Sequence, residues 1–205
     1  MRVIDSADAD AARAAAAAVR EGSLVVLPTD TVYGVGADPR SPRAVDRLLT
    51  AKGRGRDKPS PVLVASVAQA EELAREAPDV AKALMAEFWP GALTLVLPSE
   101  RLGWDLGETN GTIALRMPNH PAALELLKEA GPLAVSSANL SGRPPAATVG
   151  EAVEQLGGKV AVYLDGGPCP GGAPSTIVSF DGGLMRVLRE GGVGRGELAR
   201  FGDVA

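Results

Sequence analysis

Two short polar motifs carry residue types able to do chemistry in this 205-residue chain: Lys52-Gly53-Arg54 and Ser137-Ala138-Asn139. The first supplies two positive charges. The second supplies a hydroxyl and an amide, and together they suit the oxygens of a phosphate or a ribose. Each is an i, i+2 pair, and in an extended segment that spacing points both side chains to one face. The apolar run Pro132-Leu133-Ala134-Val135 predicts a buried strand that delivers Ser137 and Asn139 at its carboxyl end, where open α/β sheets bind ligands. A basic glycine loop is also what a solvated turn looks like, so the motifs alone leave two readings open, anion site and surface loop.

Other segments add polar groups at expected strand ends. Leu27-Pro28-Thr29-Asp30-Thr31-Val32-Tyr33-Gly34-Val35-Gly36 is either a turn held by its Asp and Thr side chains or the wall of a pocket for a small polar ligand. Arg116 interrupts the apolar run Ile113 to Pro118, and a buried arginine is costly unless paired. No carboxylate stands near it in sequence, so a ligand carboxylate or phosphate competes with a distant Asp or Glu as its partner. Pro174-Ser175-Thr176 offers two adjacent hydroxyls, and Arg189 closes another apolar run. His120, the single histidine, precedes a helix start and reads as structural rather than as a general base. The single cysteine, Cys169, excludes an internal disulfide and fits a reducing compartment. With one histidine and one cysteine, a zinc site is not expected. The glycine-rich pieces match neither the Walker nor the dinucleotide fingerprint.

These residues need elements to position them. Hydrophobic content of 45% with 3% aromatics points to a folded interior of small and branched residues in a single domain over 1–205. The net charge of −4 excludes a surface built as a whole for nucleic acid, so any basic function must be local. No run of 18 apolar residues and no charged leader is present, so a cytoplasmic protein without membrane association is expected. Helices are predicted over 6–20, from Ser41-Pro42 onward, from Ser66 through Arg75, over 78–88, over 121–129 with Asn119 as cap, from Thr148 with Glu151 as a capping box, and over 195–201. Strands are predicted over 24–27, 61–65, 92–97, 112–117, 132–135, 160–164, 176–180 and 184–188. Helices and strands thus interleave, which argues an α/β sheet covered by helices. The Gly/Pro segment 166–174 is expected to be a binding or lid loop.

In this order, Leu-Pro-Thr-Asp-Thr-Val-Tyr-Gly, Lys-Gly-Arg, Trp-Pro-Gly-Ala-Leu-Thr, Arg-Met-Pro-Asn-His-Pro, Ser-Ser-Ala-Asn-Leu-Ser-Gly, Pro-Ser-Thr-Ile-Val and Leu-Arg-Glu-Gly resemble the YrdC family of L-threonylcarbamoyladenylate synthases. The resemblance runs from about residue 10 to 195 and is to the short, single-domain form. It implies an open, twisted, largely mixed sheet with covering helices around a large basic cavity. It also implies a reaction of L-threonine, bicarbonate or CO2, and ATP that releases pyrophosphate at the start of threonylcarbamoyl-adenosine modification of tRNA. Carried over residue by residue, Thr31, Arg116, Ser175 and the Val135 backbone fall at threonine-contacting positions. Arg54, Lys58, Thr112, Ser137, Pro145 and Arg189 fall at nucleotide-contacting positions. Lys52 and Asn139 complete the Lys-x-Arg and Ser-x-Asn signature, so Lys52, Arg54, Ser137 and Asn139 are the expected catalytic set.

ATP is then a substrate, Mg2+ is expected with it without identified protein ligands, and no resident metal is expected. Hand-off to the tRNA threonylcarbamoyl transferase complex and weak tRNA binding are further expectations. Three positions depart from the pattern: Leu63 stands where some relatives carry a histidine, Lys58 where others have asparagine, and Asp30 where glutamate is frequent. Two other readings compete. One is an RNA-binding module of the same fold without turnover, against which the acidic net charge and few aromatics argue. The other is a carbamoyl-adenylate domain of the hydrogenase-maturation carbamoyltransferases, which sits in much larger chains.

Overall fold

The computed structural model describes residues 1–74, 76–99, 103–170 and 173–205. In chain order the elements are β1 (Arg2–Asp5), α1 (Ala11–Arg20), β2 (Val25–Leu27), β3 (Gly34–Ala37), α2 (Pro42–Lys52), β4 (Val62–Leu63), α3 (Val67–Leu73), α4 (Asp79–Phe88) and β5 (Leu93–Pro98). They continue with β6 (Thr112–Arg116), α5 (Pro121–Ala130), β7 (Leu133–Ser137), α6 (Val149–Leu156), β8 (Val162–Asp165), β9 (Thr176–Asp181), β10 (Leu184–Arg189) and α7 (Arg195–Leu198). The strands form one ten-stranded sheet in the order β1-β8-β2-β3-β7-β4-β6-β5-β9-β10. Pairs β1–β8, β8–β2, β4–β6 and β5–β9 are parallel and the other neighbours antiparallel, so the sheet is mixed, as expected.

Local chemistry explains most boundaries. At the start of α2, the Ser41 Oγ accepts the Ala44 N–H at 3.3 Å and Pro42 occupies the first helical turn. Val45, Leu48 and Leu49 then form its buried stripe. The helix ends at Gly53, whose φ of 63° is left-handed. The Gly53 N–H reaches Thr50 O at 3.1 Å and the Arg54 N–H reaches Leu49 O at 3.0 Å, a Schellman closure. Lys52 is therefore helical and Arg54 lies past the turn, so the extended same-face spacing anticipated for this motif does not apply.

The Thr148–Glu151 capping box on α6 forms as expected. Asn119, by contrast, does not cap α5. The N-cap is His120, and the Asn119 N–H is taken instead by Asp30 Oδ1 at 2.9 Å. The expected end of α3 at Arg75 lies outside the described residues. Two strands were not anticipated. β1 is a short edge strand, exposed along most of its length. β3 reads Gly-Val-Gly-Ala, which has no polar alternation. Its glycines are needed for close approach: a Cβ on Gly34 would lie 2.6 Å from Val135 Cγ1 on β7.

Side-chain alternation sorts the sheet into two cores and one open face. Val62, Leu93, Leu95, Leu97, Ile113, Leu115, Ala134 and Val178 point into the larger core, with α2, α4 and α6 packed there. On the other face, α1 and α5 pack against β2, β7 and β8, and this second core stops at Leu63. Beyond Leu63 the same face of β6, β5 and β9 carries half-buried Thr112, Ala114, Val96, Ile177 and Ser179 and buried Thr94 and Arg116. That half-face is the floor of the site.

Because a Cβ at Gly53 would meet nothing within 4 Å, Gly53→Ala tests backbone conformation alone. It is expected to lower unfolding free energy in urea by about 1 kcal/mol, the ordinary cost of a left-handed non-glycine residue; an unchanged midpoint would remove the Schellman turn from the account of stability.

Candidate active site

Arg116, the last residue of β6, is 7% exposed and has a protein partner that sequence distance concealed. Its Nη2 pairs with Asp30 Oδ1 at 2.6 Å, its Nη1 donates to Thr31 Oγ1 at 3.1 Å, and its Nε donates to Gly91 O at 2.9 Å. Of the two partners the sequence left open, a distant carboxylate is thus present. Five guanidinium N–H groups face three described acceptors, which leaves N–H donors for a ligand carboxylate. Burial pushes the Arg116 pKa down, against the pull of Asp30. Thr29 sets the turn beneath: its hydroxyl donates to Val32 O at 2.6 Å and accepts from the Thr31 and Val32 N–H groups. The Thr31 hydroxyl lies 3.0 Å from Thr29 Oγ1 and accepts from Arg116. The Leu27–Gly36 segment is thus a held turn, and it supplies two of the partners of Arg116. Its phenol is elsewhere: the Tyr33 hydroxyl accepts from Gly166 N and donates to Gly167 O, tying down the start of the 166–174 loop. Burial raises that phenol to about 12. Residues 171–172 of this loop, and with them the lid expectation, lie outside the described residues.

The two signature motifs meet, and they divide their work. The Lys52 ammonium is buried and donates to Ser137 O, to Asn139 O at 2.8 Å and to Asn139 Oδ1 at 3.2 Å. An ammonium has three N–H donors, so all three are used inside the protein. The Asn139 amide donates in turn to Leu140 O and Arg143 O. Lys52 and Asn139 therefore lock the end of β7 to the end of α2, and the Ser141 N–H closes the junction on Lys52 O at 2.8 Å. Arg54 is differently placed. Its Nη1 donates to Ser136 Oγ at 3.0 Å and its Nε is buried with no described partner. Ser136, which lies on the opposite face of β7 from Ser137, was not singled out from the sequence. Only the doubled Ser-Ser hinted at it.

Arg189 closes the other side. The β9–β10 register pairs Val187 with Val178 but Arg189 with Ile177, so a bulge re-aims Arg189 toward the face that carries Arg116. Its Nε and Nη2 donate to Ser175 O at 3.0 and 2.8 Å, and Nη2 also reaches Ser175 Oγ at 3.0 Å. Burial, then the nearby Arg116 and Arg54 charges, push the Arg189 pKa down, so three guanidiniums converge. Thr112 shares the face of Arg116 on β6, its hydroxyl donating to Thr109 O at 2.7 Å. Val135 donates its N–H to Pro61 O at 2.8 Å, but Pro61 has no N–H to return, so the Val135 carbonyl lacks its ladder donor. Lys58 is exposed on the 53–60 loop and Pro145 on the 140–147 loop. Arg56 is the structural member of the basic loop, paired with Asp46 and Asp105. His120 has its pKa lowered by burial and its Nδ1 has no described partner.

The geometry is a cluster of cations, Arg54, Arg116 and Arg189, near the hydroxyls of Thr31 and Ser175. Among the described residues no group of three or more His, Cys, Asp and Glu could hold a metal ion, and no helix is long and apolar enough to cross a membrane.

Residues 17–191 match the family model Sua5_yciO_yrdC, described as telomere recombination. The chain belongs to the Sua5/YciO/YrdC family. Within it, a Mycobacterium tuberculosis protein is 54% identical over 186 residues, which cover 90% of this chain and 86% of that one. The threonylcarbamoyl-AMP synthase of Bacillus subtilis is 43% identical over 90% of this chain, which spans 54% of that enzyme. The crystal structure of Pyrococcus abyssi Sua5 complexed with L-threonine superposes with a TM-score of 0.89 at 38% identity, covering 95% of this chain and 58% of that one. The Sua5/YciO/YrdC assignment agrees with the mixed sheet and with the motifs that meet at the cavity.

Burial, with help from Arg54, lowers the Lys52 pKa to about 8 from 10.5. Between those values the unfolded chain holds a proton that the folded protein has released, so this group's contribution to stability rises with pH from about 8 to 10.5. Thermal midpoints of the wild type are expected to gain on those of Lys52→Met across that window, and parallel curves would show that Lys52 releases no proton there.

Proposed function

We propose that the protein is an L-threonylcarbamoyladenylate synthase, a nucleotidyltransferase whose catalytic unit spans residues 1–205. The observation that carries this reading is the proximity of the Arg54, Arg116 and Arg189 charges, in a chain 43% identical to a threonylcarbamoyl-AMP synthase. In the proposed reaction the threonine amine adds to CO2, losing a proton to form a carbamate. A carbamate oxygen then attacks the α-phosphorus of ATP, the bond to the β-phosphate oxygen breaks, and pyrophosphate leaves. The product serves N6-threonylcarbamoyladenosine formation at tRNA position 37, after hand-off to the transferase complex that acts on tRNA.

Each side chain has a role that follows from its contacts. Arg116, steadied by Asp30 and Gly91 O, offers its remaining N–H groups to the threonine carboxylate. Thr31, Ser175 and the Val135 carbonyl surround the rest of the amino acid. Arg54, Arg189 and Lys58 balance the triphosphate and the charge that grows at the α-phosphorus. Ser137, Thr112 and Pro145 border the nucleoside. Lys52 and Asn139 hold this arrangement without touching the substrate. Mg2+ would arrive on the nucleotide phosphates, since the described residues offer it no cluster of ligands, and no step here is routed through it. The chemistry asks for orientation and fixed charge rather than a side-chain nucleophile, which fits a site whose histidine and phenol are both structural.

Mass-spectrometric detection of threonylcarbamoyl-AMP from purified protein with ATP, threonine and bicarbonate tests the activity. Arg54→Ala and Ser137→Ala are the sharper variants. Arg54→Ala should reduce kcat/KM by roughly 100-fold or more, the scale of losing one charge-stabilising donor, and full retention of pyrophosphate release would sink the assignment. Arg116→Lys should raise KM for threonine well before KM for ATP, because one ammonium cannot replace the planar fork.

A further inference from the structure

Thr94 lies in the middle of the site's floor; it closes the Trp-Pro-Gly-Ala-Leu-Thr motif, and none of the proposed roles uses it. It is 1% exposed on β5. The β5–β6 register, with Leu95 opposite Leu115, sets it opposite Arg116 on the same face. The parallel register pairs it with Ile177, which makes Ser175, two residues earlier, its diagonal neighbour. Leu93 and Leu95, fully buried on either side, fix its direction. Its Oγ1 is 2.8 Å from Ser175 Oγ, and this is its one described side-chain hydrogen bond.

The direction of that bond follows from counting protons. Ser175 Oγ already accepts from Arg189 Nη2 at 3.0 Å, and a guanidinium can only donate. If Ser175 donated to Thr94, the Thr94 proton would be buried with no acceptor, at the full desolvation penalty of an unmade bond. With Thr94 as donor, the spare hydrogen falls instead on Ser175, which is 5% exposed against 1% for Thr94. The two lone pairs of Ser175 Oγ are then filled by Thr94 and Arg189, and only its hydrogen is left for the cavity.

We propose that Thr94 is a positioning residue for amino-acid recognition, fixing Ser175 as a hydrogen-bond donor aimed at an acceptor oxygen of the bound amino acid. That oxygen belongs either to the carboxylate or to the side-chain hydroxyl. An ammonium or N–H group would find no lone pair at Ser175. The inference rests on the amino-acid pocket assigned above.

Calorimetric titration of the full chain with L-threonine tests it. Thr94→Val keeps the shape and removes the proton; Kd for threonine should rise about tenfold, as for loss of one buried hydrogen bond. Thr94→Ser should restore it to within about twofold. Affinity for a non-hydrolysable ATP analogue and the thermal midpoint of Thr94→Ser should stay at wild-type values. On a Ser175→Ala background, Thr94→Val should add no further loss. L-2-Aminobutyrate lacks the hydroxyl and L-threonine amide lacks the carboxylate. The ligand for which the Thr94→Val penalty disappears identifies the acceptor, and a penalty that persists with both overturns the inference. Unaltered threonine affinity in Thr94→Val, failure of Thr94→Ser to rescue, or equal loss for the nucleotide also overturns it. If wild-type protein does not bind threonine, the pocket assignment fails and takes this inference with it.

Discussion

Holding several positive charges against one another beside a partly desolvated cavity is the constraint on which the rest of this structure depends. Burial pushes Lys52, Arg54, Arg116 and Arg189 below their ordinary pKa values; neighbouring guanidiniums add to this at Lys52 and Arg189, while Asp57 and Asp30 pull Arg54 and Arg116 the other way. Such groups persist only if each is given acceptors. The protein answers them unequally. Arg116 receives a carboxylate, a hydroxyl and a carbonyl, and Lys52 receives three oxygens. Arg189 receives one carbonyl and one hydroxyl, both from Ser175, while Arg54 keeps a buried Nε with none. The deficit falls on the two arginines assigned to the nucleotide. In the proposed reaction a polyanion would complete their coordination, and the field that costs folding energy would favour ligand binding and stabilise charge in the transition state.

The fold supplies this arrangement by leaving half of one sheet face without a covering helix. α1 and α5 seal the face only as far as Leu63, and the remaining strands present polar residues where a third layer would otherwise sit. The mixed directions matter too. Site residues come from the last residues of β6, β7 and β10, from the turn after β2, and from the residue just before β9. No single carboxyl edge of the sheet holds them, unlike the doubly wound arrangement in which all ligands lie beyond one edge. Two local irregularities finish the site: Pro61 withholds an N–H from Val135, and the β10 bulge turns Arg189 across the sheet.

Much of this was legible in the sequence because it is local. Ser41-Pro42, the Thr148–Glu151 box and the strands expected over 92–97 and 112–117 each act within a few residues, and each formed as read. What escaped depends on contacts far apart in the chain. The Arg116–Asp30 pair spans 86 residues and the Lys52–Asn139 lock spans 87. β3 pairs through glycines whose only signature is the absence of a side chain against Val135. The same limit hid Ser136 and Thr94, whose partners sit 82 and 81 residues away. The motifs named the right neighbourhood, but could not separate the residue that faces a ligand from the one that braces it.

That separation bears on how an amino acid would be recognised in the proposed reaction without a histidine at position 63. Leu63 pairs in register with Arg116 and lies on the same face, so it offers the cavity a hydrocarbon wall beside the guanidinium. A branched side chain can lie against such a wall, but an apolar contact separates ligands that differ by one polar group only weakly. Discrimination must come from polar groups whose direction is fixed in advance, since a free hydroxyl rotor adapts to either a donor or an acceptor. Thr31 is held by Thr29 and Arg116, and Ser175 by Thr94 and Arg189. In the proposed reaction, selectivity for threonine therefore rests on two hydroxyls oriented by their buried neighbours, in place of a titrating ring.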